Sequence, residues 1–145
     1  MAYDFESQVR KFAEKANMSV GKTIRGSAIV LFRGIIKMSP VDTGRFRANW
    51  MVGMKVPSTE TTESTDKAGG TTAMNMAQYI NAQKDSYEFT MANNLPYAYK
   101  LEYGGYPGDG PNTVGGFSKQ APSGCVRVNV ARFQAILDEQ ARANR

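Results

Sequence analysis

The chain has 145 residues, 41% apolar and 21% charged, with 14 Gly and 6 Pro, which is the composition of one globular domain spanning 1–145 and excludes a collagenous, disulfide-rich or wholly disordered chain. It has no histidine and one cysteine, Cys125, which rules out a His or Cys zinc site, a Ser-His-Asp triad and an internal disulfide. The net charge of +5 is uneven, because residues 1–55 hold ten basic and four acidic side chains while the other 90 hold eight and nine, and no 18-residue apolar run or N-terminal apolar core suggests a membrane span or secretory signal.

From Phe5 the apolar positions Val9, Phe12, Ala16, Val20, Ile24, Ala28, Leu31, Ile35 and Met38 recur every three or four residues. This spacing predicts an amphipathic helix from about Asp4 to Met38, roughly 50 Å long if unbroken. Gly21, Gly26 and Gly34 weaken it, and Ser19 can cap a second segment, so one bent helix and two abutting ones are both consistent with the pattern. Pro40 stops it. Lys11, Lys15, Lys22, Arg25, Arg33 and Lys37 fall opposite the apolar series. That basic side is either a solvated face or one that meets an anionic surface such as DNA or an acidic partner.

In Ser39-Pro40-Val41-Asp42-Thr43-Gly44-Arg45-Phe46-Arg47-Ala48-Asn49-Trp50, Asp42 or Thr43 can cap a short helical turn. Phe46 and Trp50, four apart, then bury together and leave Arg45 and Arg47 to reach outward. Trp50, Val52, Met54 and Val56 alternate as a strand. Residues 57–72 contain no large apolar side chain and read as a mobile loop or an arm that orders against a partner. A short helix follows through Met74, Met76, Tyr79 and Ile80, then a strand through Tyr87, Phe89 and Met91. Asn94 to Gly104 reads as a compact helix, with Pro96 at its first position and Gly104 in the left-handed position past its end.

Residues 104–124 form a second, Gly/Pro-rich loop. Val126, Val128 and Val130 alternate like a strand, while Val126, Val130, Phe133 and Leu137 fit a helix; the expectation is a short strand running into a helix from about Val130, with Ala141–Arg145 fraying. The fold class is α+β, a long N-terminal helix packed on a small, mostly antiparallel sheet, with shorter helices and two long loops.

Chemistry-bearing patterns are weak. Gly21-Lys22-Thr23 lacks the leading glycine of a phosphate loop, since Ala16 stands there, and it follows a helical rather than a strand pattern. Asp42 is read as a cap, Glu102 as a helix-surface charge and Cys125 as a small buried or half-buried residue. Tyr97, Tyr99, Tyr103 and Tyr106 suit core or interface packing. No catalytic, metal or cofactor site is expected.

The stretch from Ser39 to Trp50, followed by Leu95-Pro96-Tyr97-Ala98-Tyr99-Lys100-Leu101-Glu102-Tyr103-Gly104, resembles the tail-completion or neck proteins of long-tailed, lambda-like bacteriophages (siphophages). In that family an S-P-V-D-T-G-x-[LF]-R motif closes a long helix, and a P-Y-A-x-x-[LQ]-E-x-G motif lies in the second half. Residues 116–124, running into Val126-Arg127-Val128, are similar to its lambdoid branch. The resemblance implies a virion structural protein without catalysis, made in the host cytoplasm and placed in the neck between head and tail. It implies a ring of copies, expected as a hexamer, around the DNA channel, contacting the tail terminator or tail-tube protein on one side and head-closure or connector proteins on the other. Pro40, Asp42, Thr43, Gly44, Arg45, Trp50, Pro96, Tyr97, Glu102 and Gly104 carry over as structural positions. Lys22, Arg25, Arg33 and Lys37, or Arg45 and Arg47, are candidates for facing DNA or an acidic neighbour. A tail terminator capping the tube, and a non-specific nucleic-acid-binding module, are the alternatives.

Overall fold

The computed structural model describes residues 5–145, with side chains from residue 7 onward. The expected helix start at Asp4 and the side chain of Phe5 lie outside the described residues. Helix α1 (Phe5–Met38) is followed by α2 (Arg45–Ala48), β1 (Trp50–Gly53), α3 (Gly70–Ala82), β2 (Thr90–Asn93) and α4 (Ala98–Tyr103), then by β3 (Thr113–Val114), β4 (Phe117–Ser118), α5 (Val126–Val130) and α6 (Phe133–Ala143). The class is α+β, as the element pattern implied.

Helix α1 is one unbroken element of 34 residues, which resolves the choice left by Ser19. Ser19 does not cap a second segment; its hydroxyl donates to the carbonyl of Asn144 just past α6. Pro40 ends the helix as expected, and the Ser39 hydroxyl donates back to Ile35 O at 2.6 Å, engaging one of the last-turn carbonyls. The body of the molecule covers α1 on more than one side, since α3, α5 and α6 all pack against it. No helix among the described residues is long and apolar enough to cross a membrane.

The core joins Phe32, Ile35 and Ile36 of α1 to Phe46, to Ala73, Met76 and Ile80 of α3, and to Leu95, Leu101 and Cys125. Trp50, Val52 and Met91 of the β1–β2 sheet pack onto it. Arg25 and Phe32, seven residues apart and hence on one side of α1, are both buried. The side of α1 read as a basic back is therefore partly interior.

Strands β1 and β2 pair antiparallel, Trp50 opposite Asn93 and Gly53 opposite Thr90. The first strand is shorter than the run to Val56, because the chain turns back after Gly53; a Cβ there would sit 2.9 Å from Val56 O. With four residues to pair against, the second strand occupies 90–93 rather than beginning at the exposed Tyr87. Two features of the C-terminal third differ from expectation. The Gly/Pro-rich loop contains the small β3–β4 ladder, and the alternating valines from Val126 form helix α5, not a strand. The last residues are held, with α6 running to Ala143 and Asn144 Nδ2 donating to Gln140 O at 2.9 Å.

Close approach to α1 is set by its glycines. A Cβ on Gly34 would overlap Asn129 Oδ1, and Asn129 is buried and donates to Cys125 O at 2.6 Å, so it cannot step aside. A Cβ on Gly26 would overlap only the end of the Gln140 side chain, which can swing away. Gly34→Ala is thus expected to destabilise by about 1–3 kcal/mol through overpacking. Gly26→Ala is expected to be neutral or to stabilise by up to about 1 kcal/mol from helix propensity. Parallel urea denaturation of the two variants checks the contrast.

Beyond Ser19, toward the N-terminus, α1 leaves the body. Residues 8–18 are all exposed, with Val9, Phe12 and Met18 half or more uncovered.

Candidate functional site

The two motifs meet in space. The Pro40–Phe46 segment forms one wall of a groove of about 590 Å³, and Tyr97, Leu101 and Tyr106 line it on the α4 side, with Asn112, Thr113, Ser118 and Gln120 completing it. The Gln120 side chain joins the walls by donating to Val41 O and accepting from Val41 N–H, both at 2.8 Å. Phe46 underlies the meeting point, in edge contact with Trp50 (5.6 Å between centroids) and near Tyr97 (6.1 Å). Trp50 donates its indole N–H to Ser39 Oγ at 2.8 Å, so its polar end is satisfied while its ring packs.

Within the first motif neither Asp42 nor Thr43 caps the short helix as expected, because Gly44 stands at the N-cap and has no side chain; Thr43 Oγ1 accepts from Arg45 N–H at 3.2 Å in the turn before it, and Asp42 is exposed. Gly44 has φ +91°, and its carbonyl accepts from Ala48 and Asp66. The arginines do not reach outward. Arg47 donates to Ser39 O (2.9 Å), Lys37 O (2.7 Å) and Lys67 O (2.8 Å), tying the C-terminus of α1 to the 57–72 segment. Arg45 donates to Thr62 O at 3.1 Å and pairs with Glu63 at 3.0 Å. Asn49, fully buried, accepts from Thr62 N–H and donates to Thr62 O and Arg45 O. The 57–72 segment, expected from composition to be a mobile loop or arm, is thus held to the body by Arg45, Arg47 and Asn49, and also by Asn94, which donates to Ser58 O (2.8 Å) and Glu60 O (2.9 Å), and by Lys37, which donates to Ala68 O.

Asp66 completes that attachment. Its carboxylate accepts the N–H of Gly69 (3.0 Å) and both the N–H and hydroxyl of Thr72 (2.8 Å each), which caps the first turn of α3. Burial works to raise its pKa, but the Thr72 and Gly69 hydrogen bonds and the Lys37 charge outweigh it, and the net direction is down.

In the second motif, Glu102 is not a surface charge. It is buried, and its carboxylate accepts the backbone N–H groups of Cys125 (2.7 Å), Val126 (2.8 Å) and Arg127 (2.8 Å), together with Arg127 Nε at 3.0 Å. Burial again opposes ionisation, and these four donors overcome it, leaving the pKa lowered. This cap is why residues 126–130 are helical, since it takes up the N–H groups that a strand would have to satisfy elsewhere. Gly124 (φ +80°) permits the approach, because a Cβ there would lie 2.6 Å from Glu102 Oε2. Arg127 also stacks over Tyr103, 4.7 Å from the ring centre. Gly104 has the positive φ expected of it, and Pro96 lies in the turn before α4, not at its first helical position.

Cys125 is buried, and its thiol is pushed up to about 11, mainly by burial and further by the Glu102 carboxylate. It is a packing residue, not an activated nucleophile.

The six basic candidates separate. Arg25 is buried and donates to Lys84 O at 3.0 Å, Lys37 donates to Ala68 O at 2.9 Å, and Arg45 and Arg47 are engaged as described. Lys22 and Arg33 are exposed on α1, eleven residues and hence three turns apart. Asp66, Asn49, Gln120 and Arg127 are the residues that sequence reasoning missed. Of these only Asp66 had a local signal, the Asp-x-x-Gly run before a helix.

The polar side chains of both motifs hold backbone, as capping carboxylates and carbonyl-binding arginines, which is the chemistry of a structural protein. A family model described as "Bacteriophage HK97-gp10, putative tail-component" matches residues 4–104, a span that includes both motifs. The chain belongs to this HK97-gp10-like family and is a structural component of a bacteriophage tail, located in the virion. No curated protein and no solved structure gives a significant match.

Proposed function

We propose that the protein is a tail-completion or neck subunit, which assembles as a closed ring of six at the head-proximal end of the tail and joins tail tube to head connector around the DNA channel. The observation that supports this reading is the free end of α1. A helix of 34 residues in which every residue from 8 to 18 is exposed, Phe12 at 75%, is a surface that assembly would cover. The two motifs serve it indirectly, by anchoring the C-terminal end of α1 so that the free end projects rigidly. In such a ring Lys22 and Arg33 are the basic side chains placed to meet DNA or an acidic neighbour, the other four being engaged within the fold.

The test is loss of the gene product during infection. Full heads and complete tails that fail to join are expected. Tails of uncontrolled length would instead indicate a terminator, and normal particles would defeat both readings. Charge reversal of Lys22 and Arg33 together is expected to lower infectious yield at least tenfold with the isolated chain still folded; unchanged yield would remove the basic face from the proposal.

A further inference from the structure

We infer that the β1–β2 ribbon has a second, longer pairing, three residues further along each strand to Val56 and Tyr87, and that Asn94 holds the free chain out of it until the chain enters the tail. The inference goes beyond the ring reading and rests only on the chain being a tail component.

Consider first the register. Trp50, Met51, Val52 and Gly53 stand opposite Asn93, Ala92, Met91 and Thr90. Continued without a slip, this register sets Met54 against Phe89, Lys55 against Glu88 and Val56 against Tyr87. Side chains alternate along a strand, so Met54, Phe89, Val56 and Tyr87 fall on the face shared by Trp50, Val52 and Met91, which packs on the core. Lys55 and Glu88 fall on the other face as opposite charges. Apolar and opposite-charge pairs directly across a ladder stabilise it, and a slip of one residue would lose all three. The side chains thus suit a ribbon three pairs longer than the four that form.

The structure has a bend in place of those pairs. Residues 54–56 turn back, leaving Met54, Val56 and Tyr87 exposed, Val56 at 79%. A Cβ on Gly53 would meet Val56 O at 2.9 Å and Thr90 Oγ1 at 3.2 Å, so the bend crosses the outer face of the ribbon over both Gly53 and Thr90. There the Thr90 hydroxyl is buried with no hydrogen-bond partner among the described residues. Such a group carries a desolvation cost, and straightening the bend would return it to water. The bend also depends on residue 53 having no side chain.

Asn94 holds the bend in place. Its Nδ2 donates to Ser58 O at 2.8 Å and Glu60 O at 2.9 Å, which draws the chain past the bend back to the Trp50–Asn93 end of the ribbon. If β1 ran on to Val56, Ser58 would come opposite Asp85, about 30 Å from Asn94 at the rise of a strand. The clasp and the longer ribbon therefore exclude each other, which makes the segment a two-state element. Thr62 keeps its bonds to Asn49 in both forms, because the residues after Val56 span about 20 Å when extended and the Asn49 side chain reaches the rest. Both bonds of the clasp lie at the surface, where water replaces them at small cost. The longer ribbon gathers Met54, Val56 and Tyr87 on one face. A neighbour in the tail that covers this face binds the longer form alone and so shifts the chain into it.

Disulfide trapping in the full-length chain tests this. Lys55→Cys and Glu88→Cys, combined, are expected to form an intramolecular disulfide at least tenfold faster when Asn94→Ala or Gly53→Ala is added. The first change opens the clasp and the second crowds the bend, while the buried Cys125 stays silent. In assembled tails the disulfide is expected to form without either change. An unaltered rate with either change, no intramolecular disulfide in assembled tails, or links between chains in its place would overturn the inference. The absence of a ring at the neck would defeat the ring reading and leave this one standing. A charge exchange supplies a second readout. Lys55→Glu and Glu88→Lys, each cooperative in its melt as the free chain, are expected to lower incorporation into tails at least threefold singly and to restore it together; a double variant no better than the single ones contradicts the pairing.

Discussion

Glu102→Ala is expected to lower the stability of the chain by about 3–4 kcal/mol, measured as a shift of the urea midpoint at constant slope. Three backbone N–H groups, those of Cys125, Val126 and Arg127, converge on this one carboxylate in the protein interior. Removing it leaves them without acceptors, at a desolvation cost of about 1–3 kcal/mol each, partly relieved where water enters the vacated space. The Arg127 ion pair adds little, since its side chain is half exposed. The loss would spread, because Asn129 hangs from Cys125 O and packs against Gly34 of α1, so amide exchange in α5 and α6 should accelerate before that in α3. Glu102→Gln keeps the shape but turns an N–H donor toward other donors, and about 2 kcal/mol is expected to be lost.

The same carboxylate makes stability depend on pH. Its folded-state pKa lies below its unfolded value of about 4.3, so between the two the unfolded chain binds more protons. The stabilisation is therefore complete above the unfolded value and is lost as pH falls through the folded one. Asp66, also lowered, acts in the same direction and in the same acidic window. Thermal melts from pH 6 to pH 2.5 should show a steep acid limb in the wild-type chain and a shallower one in Glu102→Gln; an identical limb would mean that the Glu102 carboxylate is not the group responsible.

Gly44→Ala is expected to cost about 3 kcal/mol. The residue sits at φ +91°, which an L side chain adopts at a cost of about 1–3 kcal/mol. The added Cβ would also lie 2.6 Å from Lys67 N and 2.8 Å from Asp66 C, backbone atoms that cannot rotate away. Relief requires the 57–72 segment to lift, which breaks the Gly44 O to Asp66 N–H bond and loosens the cap on α3. Limited proteolysis should therefore cut the variant within residues 57–72 under conditions that leave wild type whole.

What could be read from the sequence was local. Helix α1 and its stop at Pro40, helix α3, the positive φ of Gly104 and the Phe46–Trp50 contact all follow from periodicity and turn chemistry within a few residues. The misread positions answer to partners far along the chain. Val126 to Val130 alternate like a strand, and what makes them a helix is Glu102, more than twenty residues earlier. Glu102 in turn reads as a surface charge on a short helix because its donors lie in a segment that pattern alone cannot bring near. A helical wheel for α1 assumes one buried side, whereas α3 and α6 both cover it, and Arg25 is interior as a result. Arg47 likewise reads as a solvent-facing charge in a short helix until the end of α1 and the 57–72 segment are seen to offer it three carbonyls.

A cryo-EM map of the intact virion neck tests the central claim most directly. A closed ring of this chain between the head connector and the tail tube is the expected result. Finding the chain at the tail tip, or not finding it in mature virions, would contradict it.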